Sequence, residues 1–191
     1  MPVSLPGALD HDAILHRVTR EQLITRIKQS ALLHGDFVLR SGRKSNYYLD
    51  KYLFETQPDI LAALAKLFAK HVDHTIDRIA GPELGGVPLA TAVALHTSKP
   101  MVLIRNAKKQ YGTSKQFEGR LEPGDRVLIT EDIATSGGQS LEAARLLRHE
   151  CECEVVKIVV AIDRQEGARE HIEAAGFDFA SLFTSNDLGI E

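Results

Sequence analysis

An α/β fold with a mostly parallel, twisted sheet flanked by helices, plus a small N-terminal hood set apart from it, is what this sequence predicts. Three observations predict it. Short apolar, β-branched runs recur near 77–80, 100–104, 126–131, 155–162 and 179–183 and alternate with segments of helical periodicity. Right-handed crossovers between such strands build a parallel sheet with helices on both faces. Two of the strand–helix junctions are glycine-bearing turns, 81–86 with three glycines and 135–138 made wholly of small residues. Finally, 36–55 holds strand-like pieces broken by turn residues and does not continue the βα rhythm.

The elements follow in order. Thr19-Arg20-Glu21-Gln22 has the form of a capping box, and Leu23, Ile24, Ile27, Ala31 and Leu32 continue at helical spacing toward an end near His34-Gly35. Phe37-Val38-Leu39 and Tyr47-Tyr48-Leu49 are strand-like, while Ser41-Gly42 and Ser45-Asn46 are turn material. Pro58 suits the first position of a helix whose apolar face is Ile60, Leu61, Leu64, Leu67 and Phe68. The strand at 77–80 runs through Gly81-Pro82-Glu83-Leu84-Gly85-Gly86 into an alanine-rich helix over about 87–96. The strand at 100–104 runs into a polar stretch, 105–120. The strand at 155–162 ends in Asp163-Arg164-Gln165-Glu166-Gly167, before a helix to about 175 and a last strand at 179–184.

Length and charge narrow the function classes. At 191 residues the chain is expected to be one domain: an arm over 1–18, then a hood to about 56 and a core from about 57. A net charge of −3 provides no global basic field, which argues against a nucleic-acid partner. No apolar run approaches the roughly 20 residues of a membrane span. The first residues have neither the basic nor the apolar region of a secretory signal. Cys151 and Cys153 are one residue apart, without metal-site spacing, and read as reduced thiols. A cytoplasmic protein is expected.

The chemistry concentrates in 126–140. After the apolar strand come Glu131 and Asp132, then Ala134, Thr135, Ser136, Gly137, Gly138 and Gln139, opening an amphipathic helix. Such a turn presents free N–H groups to an anion, and the helix dipole adds to them. Two carboxylates beside a phosphate cradle make sense if the ligand also carries a vicinal diol, a Mg²⁺ ion or a developing positive charge. The turn at Leu84, Gly85 and Gly86 is a second candidate anion site. The 105–120 stretch carries Arg105, Lys108, Lys109, Lys115 and Arg120 against one acid, Glu118, and reads as a mobile solvated hairpin or as a cationic flap over a polyanion. Arg164, at a strand C-terminal end, either recognises a carboxylate or pairs with Asp163 or Glu166. The absence of G-x-x-x-x-G-K-[ST] and G-x-G-x-x-G argues against Walker-type and dinucleotide sites.

These motifs, in this order, resemble the type I phosphoribosyltransferases, and among them the orotate phosphoribosyltransferases. The 126–140 stretch resembles their 5-phosphoribosyl-1-pyrophosphate (PRPP) signature, with Glu131 where Asp is more usual. The 81–86 turn resembles the one that binds pyrophosphate, with Gly85 where Lys is common. The flap matches at Arg105, Lys109, Tyr111 and Gly112, with Asn106 replacing a usual Lys. The 37–47 run resembles the hood over the pyrimidine, with Arg40 where Lys is common, and Asp163–Gly167 resembles the orotate-specific turn. The resemblance implies the type I phosphoribosyltransferase fold and transfer of phosphoribose from PRPP to orotate, in pyrimidine biosynthesis. It implies Lys109, Asp132 and Arg105 as catalytic residues. PRPP would meet residues 84–86, Arg105, Lys108, Lys109, Tyr111, Glu131, Asp132 and 134–139. Orotate would meet Arg40, Tyr47, Tyr48, Leu49, Thr135 and Arg164. Mg²⁺ would be held mainly through PRPP, with no direct protein ligand. A homodimer would share the 105–120 loop in trans. The rivals are a phosphoribosyltransferase for another base and a PRPP-binding regulator; the Asp163–Gly167 turn and the intact acidic pair argue against each in turn.

Overall fold

The computed structural model describes residues 18–38, 42, 44–107 and 116–190. Thr19 caps helix α1 (Arg20–Ala31) by the reciprocal bonds of a capping box: Gln22 N donates to Thr19 Oγ1 at 3.2 Å and Thr19 N to Gln22 Oε1 at 2.9 Å. The helix stops earlier than its spacing predicts. Leu32–Val38 is instead a strand, β1, paired antiparallel with β2 (Lys44–Leu49), so His34 and Gly35 lie in the strand. Pairing of Leu32 with Leu49 and Leu33 with Tyr48 overrides the local helical pattern. The same pairing draws Ser45 and Asn46, expected as a turn, into β2. A register shift between His34 and Phe37 absorbs the mismatch.

Asp50 then caps a short helix that sequence periodicity did not reveal, α2 (Lys51–Glu55). Helix α3 (Pro58–Phe68) starts with Pro at its first position, as expected, and ends in a 3₁₀ turn, Ala69–His71. The core follows as β3 (Arg78–Pro82), α4 (Gly86–Thr97), β4 (Met101–Ile104), β5 (Phe117–Glu118), β6 (Arg126–Ala134), α5 (Gly138–His149), β7 (Glu154–Asp163), α6 (Ala168–Ala174) and β8 (Phe179–Thr184). The expected strands are present; β6 is longer than expected, so that Glu131, Asp132 and Ala134 belong to the strand itself. β5 is a correction to the reading of 105–120 as wholly loop: its end returns to pair antiparallel with β4.

The sheet order is β5-β4-β3-β6-β7-β8, parallel except at β5. One face packs Ile27, Phe54, Leu64, Phe68 and Leu89, from α1 to α4, on Leu128 and Val159. The other packs Leu147 and Ile172, from α5 and α6, on Ile129 and Ile158. The two-stranded hood is tied to the sheet by α1. Arg20 donates from Nη1 to Leu182 O at 2.6 Å, pairs through Nη2 with Asp187 at 3.0 Å, and lies 4.5 Å over the Phe183 ring. β3 and β6 are neighbours, but the chain leaves them in opposite directions across the sheet. The crevice beyond their C-terminal ends is therefore the topological switch point, where open α/β sheets bind ligands. Among the described residues no helix is long and apolar enough to cross a membrane, and both cysteines are free.

Candidate active site

The acidic pair sits at the C-terminal end of β6, and both carboxylates are buried: Glu131 is 3% exposed and Asp132 1%. Asp132 Oδ1 accepts from Ile133 N, and Oδ2 forms an ion pair with Lys51 Nζ at 2.7 Å. Lys51 comes from α2 in the hood, so this pair ties the hood to the sheet at the site. Glu55, one helical turn on, is 1% exposed with both carboxyl oxygens buried. Burial, then the Asp132 charge, pushes the carboxyl groups of Glu55 and Glu131 well above the ordinary range. For Lys51, burial opposes the charge, but Asp132 and its hydrogen bond outweigh it and hold the ammonium protonated.

The turn after β3 meets this cluster from the other side. Gly85 has an ordinary φ of −70°. It is glycine because of space: a Cβ there would fall 1.4 Å from Asp132 Oδ2 and 3.2 Å from Lys51 Nζ. The Glu83–Leu84 peptide bond is cis, and Leu84 is exposed. Gly86 opens α4 tightly against the sheet, where a Cβ would approach Thr130 O to 2.8 Å. Gln139 Nε2 donates to Glu83 O at 2.6 Å, and so joins this turn to the start of α5.

The turn after β6 is open. Ala134 and Gly137 are buried, while Thr135, Ser136, Gly138 and Gln139 are exposed. Gly137, at φ 76°, starts α5 in the left-handed region. Leu141 N donates to Gly137 O as the first helical bond, which leaves the preceding N–H groups facing the crevice. His171 Nδ1 lies 3.0 Å from Ser136 O and braces the loop from α6.

The flap is described at its two ends only. Arg105 N donates to Gln116 O at 2.9 Å, and Arg105 Nη1 lies 3.7 Å from Glu118 Oε1. Asn106 N donates to Glu83 Oε1 at 2.7 Å, so the flap leaves from the β3 turn. The expected site residues Lys108, Lys109 and Tyr111, and Arg40 of the hood, lie outside the described residues.

A cavity of about 680 Å³ lies between the hood and the C-terminal end of β7, where Arg164 N donates to Ala134 O at 2.9 Å. Tyr47 and Arg164 both line it, with Lys44, Asn46, Gln165 and Ser185. The Arg164 Nε lies 3.0 Å from Glu166 Oε1, so the guanidinium is held at the cavity wall by its neighbour. Four hood residues are expected at the base; of the three that are described, only Tyr47 lines this cavity. The alternation of β2 turns Tyr48 to the other face, with its ring centroid 5.6 Å from that of Phe37. Leu49 packs on the core instead.

The family model described as "Phosphoribosyl transferase domain" matches residues 54–179. The orotate phosphoribosyltransferase of Pyrococcus abyssi is 45% identical over 173 residues, spanning 88% of this chain and 94% of that protein. The chain belongs to the orotate phosphoribosyltransferase family. The solved orotate phosphoribosyltransferase of Mycobacterium tuberculosis in complex with inorganic phosphate superposes with a TM-score of 0.79 at 30% identity, covering 90% of this chain and 98% of that one. The same enzyme in complex with PRPP gives 0.76 at 28% identity, with 90% and 99% covered.

Sequence reading missed four participants in the site's geometry. Lys51 and Glu55 carried no signal beyond an i, i+4 spacing in a segment read as irregular. His171 looked like an ordinary surface residue of α6. Ser185 reaches the cavity wall because β8 runs parallel to β7, a pairing no local pattern exposes.

Proposed function

We propose that the chain transfers the 5-phosphoribosyl group of PRPP to orotate, releasing pyrophosphate and forming orotidine 5′-monophosphate. One observation carries this reading: Arg164 lines the cavity with Tyr47 while its backbone N–H donates to Ala134 O at 2.9 Å, so a carboxylated base held there lies next to the turn that follows the acidic pair. The free N–H groups of residues 138–140, with the Thr135 and Ser136 hydroxyls, bind the 5-phosphate. Asp132 and Glu131 face the ribose, orienting its hydroxyls and stabilising positive charge developing at C1. The Leu84–Gly86 turn binds the pyrophosphate, and Arg105 with Lys108, Lys109 and Tyr111 closes over it, neutralising the leaving group and excluding water. Arg164 pairs with the orotate carboxylate, which leaves its Glu166 contact to the incoming ligand. Arg40 and Tyr47 cover the base.

The protein side chains suit a metal that arrives with its substrate. Asp132 is already neutralised by Lys51, and no group of three or more His, Cys, Asp or Glu side chains among the described residues could hold an ion. Mg²⁺ bound to the diphosphate would supply charge neutralisation of the leaving group. The same reading includes a cytoplasmic homodimer, with the 105–120 loop of each subunit closing on its partner's site.

The test is the loss of orotate absorbance with purified protein, PRPP and Mg²⁺, beside uracil, hypoxanthine and adenine. Consumption of orotate alone is expected; turnover of another base in its place would refute the assignment. For the dimer, mixing an Asp132→Asn subunit with a Lys109→Ala subunit is expected to restore activity that neither has alone. No recovery in a mixture shown to exchange subunits would rule out sharing in trans.

A further inference from the structure

The site needs a cation that the glycine turn does not supply. Three acids, Glu55, Glu131 and Asp132, are buried around a crevice that, on the reading above, must accept a polyanionic diphosphate. The β3 turn offers that diphosphate backbone N–H groups only. Gly85 cannot be replaced by a residue that reaches in, because its Cβ position is already filled by Asp132. The Lys51 ammonium lies against that same point, 3.2 Å away, and 2.7 Å from Asp132 Oδ2. It therefore sits between the carboxylate facing the ribose and the turn facing the diphosphate, at the corner where the bond to the leaving group breaks.

Burial distinguishes the two partners of this ion pair. Asp132 is 1% exposed at its side chain, whereas Lys51 keeps 32%. Sealing the lysine in as well would cost the desolvation of a second charge, and its partial exposure keeps the ammonium within reach of a ligand. An ammonium has three N–H donors, and the Asp132 contact takes one. Among the described residues no other hydrogen-bond acceptor takes the remaining two. We propose that Lys51 is a further substrate-binding residue of this enzyme: delivered from the hood rather than from the turn, it donates to the diphosphate of PRPP while still paired with Asp132. The hood thus contributes to the leaving-group site as well as to the base pocket, and hood docking and diphosphate binding are one event. This rests on the phosphoribosyltransferase reading, though not on which base is used.

The test separates a ligand contact from mere balance of Asp132. Binding of inorganic pyrophosphate, in Mg²⁺-containing buffer, is measured by calorimetry on the full chain as wild type, Lys51→Met, Asp132→Asn and the Lys51→Met/Asp132→Asn double variant. The double variant removes both charges and leaves no unpaired buried ion, so it is the variant expected to fold if the single Lys51→Met does not. Asp132→Asn is expected to bind pyrophosphate at least as tightly as wild type. The double variant is expected to bind about ten- to a hundredfold more weakly than Asp132→Asn, the range of one charge-assisted hydrogen bond. Lys51→Arg is expected to restore kcat/KM for PRPP to within about tenfold. Equal affinity in Asp132→Asn and the double variant would overturn the proposal and leave Lys51 as a structural counter-ion. Absence of pyrophosphate binding by wild type would overturn both this and the reading beneath it, while wild-type binding with no orotate turnover would sink the base assignment alone.

Discussion

The two βα turns at the switch point are both glycine turns, and they are so for different reasons. Gly137 has a left-handed backbone, φ 76°, and a Cβ there would approach the Ile172 side chain to 2.9 Å. Gly85 has a backbone any residue could adopt, and its missing side chain makes room for the Asp132 carboxylate. The first glycine serves the fold, through a chain reversal and the packing of α6. The second serves the chemistry, by letting a charged group from the neighbouring strand stand where its own side chain would be. A glycine's role therefore has to be read from what occupies its Cβ position.

The largest expected effect tests that difference directly. Gly85→Ala should displace Asp132 from Lys51 and lower kcat/KM for PRPP by about a hundredfold, the usual cost of misplacing a reacting group by an ångström. Steady-state kinetics beside a thermal melt would show it, and unchanged kinetics would mean that Asp132 can move without consequence. Arg164→Ala acts on the cavity instead of the turns. Loss of a charge-assisted pair should raise the orotate KM by about ten- to a hundredfold and affect PRPP less; an unchanged orotate KM would remove Arg164 from base recognition. Gly137→Ala should do the reverse of Gly85→Ala. It is expected to cost about 2 kcal/mol of stability and lower the Tm by about 4–8 °C, with activity at low temperature largely kept.

The smallest effect concerns the acids that Asp132 leans on. Glu55 and Glu131 carry raised carboxyl values in the folded state, from burial first and the Asp132 charge second. Their contribution to stability is fully present below the ordinary carboxyl range and is lost as pH rises through the raised values. Thermal melts from about pH 5 to about pH 9 should show stability falling with pH, and Glu55→Gln should flatten that fall. A slope unchanged in Glu55→Gln would place the titration elsewhere.

Much of this was legible along the chain. The strand periodicity, the acidic pair, both glycine turns and the Asp163–Gly167 turn are local patterns, and each is found where its pattern puts it. Most of the failures come from pairing and packing between segments, which a pattern read along the chain does not carry. The pairing of β1 with β2 turned the expected helix end at His34-Gly35 and the expected turn at Ser45-Asn46 into strand. Pairing with β4 made β5 out of a run that reads as loop. The pleat of β2 separated Tyr47 from Tyr48. The reason for Gly85 was hidden most deeply, since it lies in Asp132 from β6, the third strand further along the chain, and in Lys51 from the hood.

The Arg20 clamp has a consequence for how the molecule is made. Its acceptors, Leu182 O and Asp187, are separated from it by almost the whole described chain. During synthesis α1 emerges before the sheet, and its anchor on β8 emerges only after β3 to β7. The sheet can begin to assemble behind it, but this clamp on α1 cannot close until β8 has been made. A nascent chain stalled before β8 would hold the acidic pair of β6 with α1 still unclamped, so the last tie between hood and sheet is made only after the strands that carry the pair.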